Sequence, residues 1–160
     1  MGAHHDRHRE DGMHLATYLN DHLSGATAAV DLLEHLERSH ADLAPALAAL
    51  RRDIELDRRE LEALIGRLGA SRSRARQAAG WVAEKLARLK MTADDLSGHE
   101  LKLLEAVAVG VHGKGTLWQT LKVIPAAGGP DYDRLAARAE EQRQRIEPVR
   151  LNAARAAFGG

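Results

Sequence analysis

The sequence predicts an all-α protein: one bundle of four long helices, paired as two hairpins, with a shorter fifth helix between the pairs. Three observations lead there. Apolar residues recur at steps of three and four through four stretches of about 26 residues, each roughly 40 Å long as helix. No hairpin signal, a tight turn flanked by strand alternation, occurs in the pattern. Aromatic residues make up only 3% of the 160 residues, so Leu, Ala, Val and Ile must build the interior, and such small side chains favour close helix contacts. A chain of this length defaults to one domain and can bury about two-thirds of its unfolded surface.

Residues 1–12 are charged and His-rich, with His4, His5 and His8, and read as a disordered tail. The domain spans residues 13–160, and Met13, where the periodic sequence begins, is an alternative start of translation. The first helix runs from Met13 to His40 on the stripe Leu15, Leu19, Leu23, Ala26, Val30, Leu33 and Leu36. Asp42 is the expected N-cap of the second, with Pro45 in its permissive first turn. Leu47, Leu50, Ile54, Leu61, Leu64 and Leu68 form its stripe, and Gly69 its C-cap. Arg51–Glu55, Glu55–Arg59 and Arg58–Glu62 stand four apart on its outer face, which marks a solvated surface. A shorter third helix follows to Lys90 on Ala78, Val82, Leu86 and Leu89. Ser97-Gly98-His99-Glu100 reads as a capping box opening the fourth helix, which runs to Ile124. After a Gly/Pro loop, Asp131 caps the fifth, which reaches Phe158.

Two long hairpins joined by one helical crossover is the plan of a ferritin-like four-helix bundle. Such bundles hold two metals with a Glu from each of two helices and Glu-x-x-His from the other two. That pattern is not here. The second and fifth helices contain no histidine, and an acidic residue three before a histidine occurs only as Asp11–His14 and Glu37–His40, away from mid-bundle.

Each long helix instead interrupts its apolar row with a polar residue: His22, Asp57, Lys114, and the pair Gln142 and Arg143. Counted from the helix midpoints, the four interruptions fall within about one turn of one another. The expectation is a buried polar layer of His22, Asp57, Lys114, Arg143 and Gln142, with the two cations neutralising the carboxylate. The plainer reading is that helix rotation puts one or two of these at the edge with their stems snorkelling outward. A metal site with a non-standard ligand set, drawn from His22, Asp57, Glu105 and His112 and holding iron, manganese or zinc, is the alternative. A lone histidine on an apolar stripe is more often a hydrogen-bonded core residue.

The remaining features are weaker. Gly110 to Thr116 superficially suggests a phosphate loop, but neither the glycine spacing nor a preceding strand is present. Three glycines inside a helix cost about 1 kcal/mol each relative to alanine. Close approach of another helix, with Gly25 as counterpart, or a kink would offset that cost. Arg67–Lys90 carries seven basic residues against Glu84 alone. With Trp81, the residues Arg72, Arg74, Arg76, Lys85, Arg88 and Lys90 make an anionic-surface or nucleic-acid adaptor the second alternative. Formal net charge is zero, which argues against nucleic acid as a partner. The absence of cysteine excludes disulfides and thiol chemistry. With neither a targeting segment nor an apolar run long enough to span a bilayer, the expected location is cytoplasmic.

Three stretches, Tyr18–Leu23, Gly80–Lys90 and Leu103–Trp118, together resemble a group of small bacterial helical proteins of about this length. The resemblance covers most of the chain after Met13 and implies a ferritin-like fold, with no activity to carry over. His112 stands where that group's motif has Glu, which weakens a metal reading. The functional expectation is a non-catalytic bundle with no cofactor, acting by packing or by contact with itself, as a homodimer, or with another protein.

Overall fold

A computed structural model describes residues 3–69 and 96–159, together with the helical residues 80, 84, 87 and 88. The elements are α1 (Ala3–Ser39), α2 (Ala44–Arg67), α3 (Leu96–Lys122) and α4 (Tyr132–Phe158), with a single 3-10 turn at Pro125–Ala127 before α4. No strand occurs among the described residues. The predicted fourth and fifth helices are thus α3 and α4, and the predicted third lies largely outside the described residues.

The helix ends separate strong signals from weak ones. Helical backbone begins at Ala3, well before Met13. Asp42 does not cap α2: residues 41–43 form a turn, Leu43 takes the N-cap position without a side-chain bond, and Pro45 occupies the first turn. Gly69 does follow α2 with φ 64°, a left-handed conformation that a Cβ disfavours. Its N–H donates to the Gly66 carbonyl at 3.2 Å. The helix α3 starts at Leu96, so Ser97 lies inside it rather than ahead of it, and Glu100 faces His40 at 3.6 Å. It stops at Lys122 because Ile124 is already extended. Asp131 caps α4, its Oδ1 accepting the Arg134 N–H at 3.0 Å.

The four helices form a ring. α1 packs on α2 and α3, and α4 packs on α3 and α2. Burial sorts the interior into two apolar blocks. One holds Leu33, Leu36, Leu47, Leu50, Leu104, Val107 and Ile146; the other holds Leu19, Leu61, Leu64, Leu117, Trp118, Leu121 and Leu135. Reading each helix through these blocks fixes its direction. α1 and α4 run one way, α2 and α3 the other, so every neighbouring pair is antiparallel. The end of α2 and the start of α3 lie at opposite ends of the bundle. None of the described helices is long and apolar enough to cross a membrane.

Ion pairs stitch the outside. Arg51 joins α2 to α1 through Glu37 at 2.7 Å while also reaching Glu55 of its own helix at 3.0 Å. Arg58 and Glu62 pair at 3.2 Å, as their spacing predicts. Arg150 reaches Glu105 of α3 at 3.7 Å.

Pro148 stands inside α4, yet the helix continues to Phe158. Pro148 is exposed, so the carbonyl four residues back, deprived of its N–H partner, can turn to water. Burial of Ile146 and Ala153 holds the two halves in line. Proline costs about 3 kcal/mol in a helix interior, offset by about 1 kcal/mol from the stiffer unfolded chain. Pro148→Ala is therefore expected to stabilise the protein by about 2 kcal/mol, read as a raised urea midpoint at unchanged m-value.

Candidate functional site

Between the two apolar blocks lies a polar layer. Asp57 of α2 is 1% exposed, Gln142 of α4 is fully buried, and Lys114 of α3 is 8% exposed. Each sits where its helix has turned an apolar stripe inward: Ile54 and Leu61 flank Asp57, Val111 and Leu117 flank Lys114, and Ala139 and Ile146 flank Gln142. Lys114 Nζ donates to Asp57 Oδ2 and to Gln142 Oε1. Gln142 Nε2 donates to the same Asp57 oxygen at 2.8 Å. The three side chains close a triangle, which fixes the amide orientation of Gln142. Arg138, one turn before Gln142, pairs with the other carboxylate oxygen, Oδ1. This last contact is one of charge rather than of good hydrogen-bond geometry, since Asp57 Oδ1 and Arg138 NH2 both lack a properly directed partner.

Arg143 is not part of this layer. Its side chain is 46% exposed and grips Glu140 with two bonds of 2.8 Å. Arg143 and Gln144 together hold the Glu140 carboxyl at about 2, far below the carboxylate range. The second cation is Arg138, which the sequence reading missed. Helix geometry explains the substitution: Arg138 is four residues from Gln142 and so about 40° off its direction, whereas Arg143, its neighbour, is about 100° off.

The fourth helix of the ring, α1, brings no hydrogen bond to the triangle. Its contribution at this level is His22, Gly25, Ala26 and Ala29, and between them and the triangle a partly open cavity of about 220 Å³ remains. Asp57, Lys114, Ile54, Leu61, Val111 and Trp118 complete its inner wall. Gly25 and Gly110 are exposed and Gly113 half-buried, so glycines of both helices stand where the cavity meets solvent. Trp118 is fully buried, and its indole N–H has no acceptor among the described residues.

The glycines do not serve close helix approach. A Cβ built on Gly110 would stand 3.9 Å from Ala29 Cβ, and one on Gly115 would stand 3.6 Å from Ala139 Cβ; both are ordinary contacts. At Gly25 and Gly113 a Cβ would meet nothing within 4 Å. The proposed counterpart role of Gly25 is therefore replaced by another: Gly25 and Gly113 leave space.

The residues weighed as metal ligands diverge. His22 and Asp57 share the cavity wall. Glu105 is half-exposed and faces Arg150, and His112 is exposed beside Glu140 and Arg143 in a separate shallow groove. No group of three or more His, Asp or Glu that could hold a metal exists among the described residues. Of the basic set around the third predicted helix, Arg72, Arg74, Arg76, Lys85 and Lys90 lie outside the described residues, as does Trp81. Arg88 is exposed and paired with Glu84 at 2.5 Å. No protein-family model, curated protein or solved structure matches this chain.

Burial shapes the ionisation of the site. It pushes the Lys114 ammonium below its ordinary range, against the pull of Asp57, and Arg138 adds to the lowering. It likewise lowers the His22 imidazole from 6.5, opposed by neighbouring Asp21. Tyr18 covers one side of that ring edge-on at 4.7 Å. A histidine with a lowered folded value stays neutral in the folded chain while the unfolded chain takes up a proton. It thus withdraws stability as pH falls below 6.5 toward the lowered value. His22→Gln removes that loss. Urea midpoints followed from neutral pH to about pH 5 should fall less steeply in the variant than in the wild type. Equal slopes would mean that the imidazole is protonated as readily inside the fold as outside.

Proposed function

We propose that this protein is a non-catalytic, ferritin-like helical bundle that acts by packing and partner contact, and that its ionic layer occupies the level at which a ferritin-like relative would hold metal. The alternating directions of the four helices, with one long connection from α2 to α3, support the ferritin-like part of this reading. One observation carries the rest. The only carboxylate in the layer, Asp57, has one oxygen held by Lys114 and Gln142 and the other against Arg138. A base or metal ligand needs a lone pair facing a reactant, and both oxygens of this one already lie against cations of the fold.

A buried carboxylate shared by three helices defines their mutual height. Sliding one helix by a turn would drive the charge into an apolar block and leave it unsolvated. The layer is thus a device for register. Asp57→Asn removes the negative charge and strands Lys114 and Arg138 around a neutral amide, at an expected cost of about 3–5 kcal/mol in chemical denaturation. The triple change Asp57→Leu, Lys114→Met, Gln142→Leu should recover much of that stability, because matched apolar groups replace a buried ion pair at little net cost. Its register should be less sharply defined, visible as broadened methyl resonances. Elemental analysis of the purified chain addresses the competing class directly. Stoichiometric iron, zinc or manganese that disappears in His22→Ala would displace the scaffold reading in favour of a metal protein.

A further inference from the structure

We infer that the cavity between α1 and α3 is a binding site for a small, mostly apolar acid, whose carboxylate docks on Lys114 and Trp118 while its hydrocarbon part fills the space beside Ala26, Ile54 and Leu61. The inference goes beyond the reading of a bundle that acts by packing and partner contact, and rests on the non-catalytic part of that reading.

Four observations converge. The first is the space itself. A cavity of about 220 Å³ compares with apolar cavities of ~150 Å³ that take up benzene. The second is its hydrogen-bonding sense. An ammonium carries three donors, and Lys114 spends two on Asp57 and Gln142. The Trp118 indole N–H has no acceptor among the described residues, the third ammonium N–H is used by neither of those two bonds, and both residues line the cavity. A buried donor left without an acceptor is costly, and a ligand oxygen would supply one to each. The third is charge. Asp57 lies against two cations, Lys114 on the cavity lining and Arg138 behind it, so this buried cluster sums to one positive charge. A carboxylate neutralises it; a cation or a second donor would be repelled. Asp21 carries the opposing charge on the cavity lining, but it is exposed to water, where its field is weak.

The fourth is the glycines. Gly25 and Gly113 are poor helix residues, and no neighbouring atom requires them. Side chains there would stand in the entrance. Their small size keeps open a path from solvent to Lys114, and this gives a reason for residues that packing does not explain.

The experiment uses the full chain carrying Trp81→Phe, so that Trp118 is the one remaining indole. Phenylacetate and its neutral isostere phenylacetamide are titrated while Trp118 fluorescence is followed, with calorimetry for stoichiometry. The expected result is one-to-one binding of phenylacetate, about tenfold or more tighter than the amide, with a shift in the Trp118 emission. Gly113→Leu should abolish this binding without lowering the melting temperature, because leucine favours helix and fills open space. Gly25→Leu provides the same test from the opposite helix. If the amide binds as tightly as the acid, the acid class is wrong although the cavity is a site. If phenylacetate binds equally well to both leucine variants, or does not bind at up to about 10 mM, the cavity is not its site and the inference falls. The role of Asp57 in register stands or falls separately, on the denaturation of Asp57→Asn.

Discussion

The carboxylate of Asp57 is buried between two apolar blocks. A charge in that position is tolerable only if the surrounding helices bring cations and donors to it. Lys114 and Gln142 must then come from α3 and α4 at one height, and Arg138 must fold its stem inward to reach the second oxygen. The lengths and stripes of α2, α3 and α4 are subordinate to that meeting. Slide or rotate any of the three, and the core still contains enough leucine to collapse, but the charge is orphaned.

The layer is asymmetric. Three helices give it hydrogen bonds, and α1 gives it small residues and a half-buried imidazole. The polar side chains of α1 turn back on their own helix instead: Ser24 donates to the Asn20 carbonyl at 3.0 Å, and Asn20 to the Ala16 carbonyl at 2.9 Å. Such back-bonding satisfies the Ser24 hydroxyl and the Asn20 amide N–H without a partner helix, while Asn20 Oδ1 has no partner among the described residues. As a result α1 is not tied to the triangle by polar contacts, and the cavity opens on its side.

Much of this was legible in the sequence, for identifiable reasons. The periodic stripes gave the helices, and the polar break in each stripe gave Asp57, Lys114 and Gln142, because a polar residue flanked three or four positions away on both sides by inward-facing apolar residues has little choice of direction. The caps that held, Asp131 and Gly69, depend on local geometry alone. Asp42 failed because a turn over 41–43 shifts the helix start past it. Adjacency to Gln142 in sequence points to Arg143, whereas the helical angle brings Arg138 to the layer. The role of the glycines was out of reach, because a gap is a property of what several helices fail to supply, and no single stripe records it.

The alternating directions of the ring have an electrostatic consequence. Each helix carries a dipole equivalent to about half a charge at either end. Two of the four described helices point one way and two the other, so these dipoles oppose pairwise around the ring. The formal charge of the chain is also zero. The backbone of the described bundle therefore lends no axial field to guide an approaching molecule. Selectivity must then be exercised at contact distance, by the shape of a cleft and the few groups inside it.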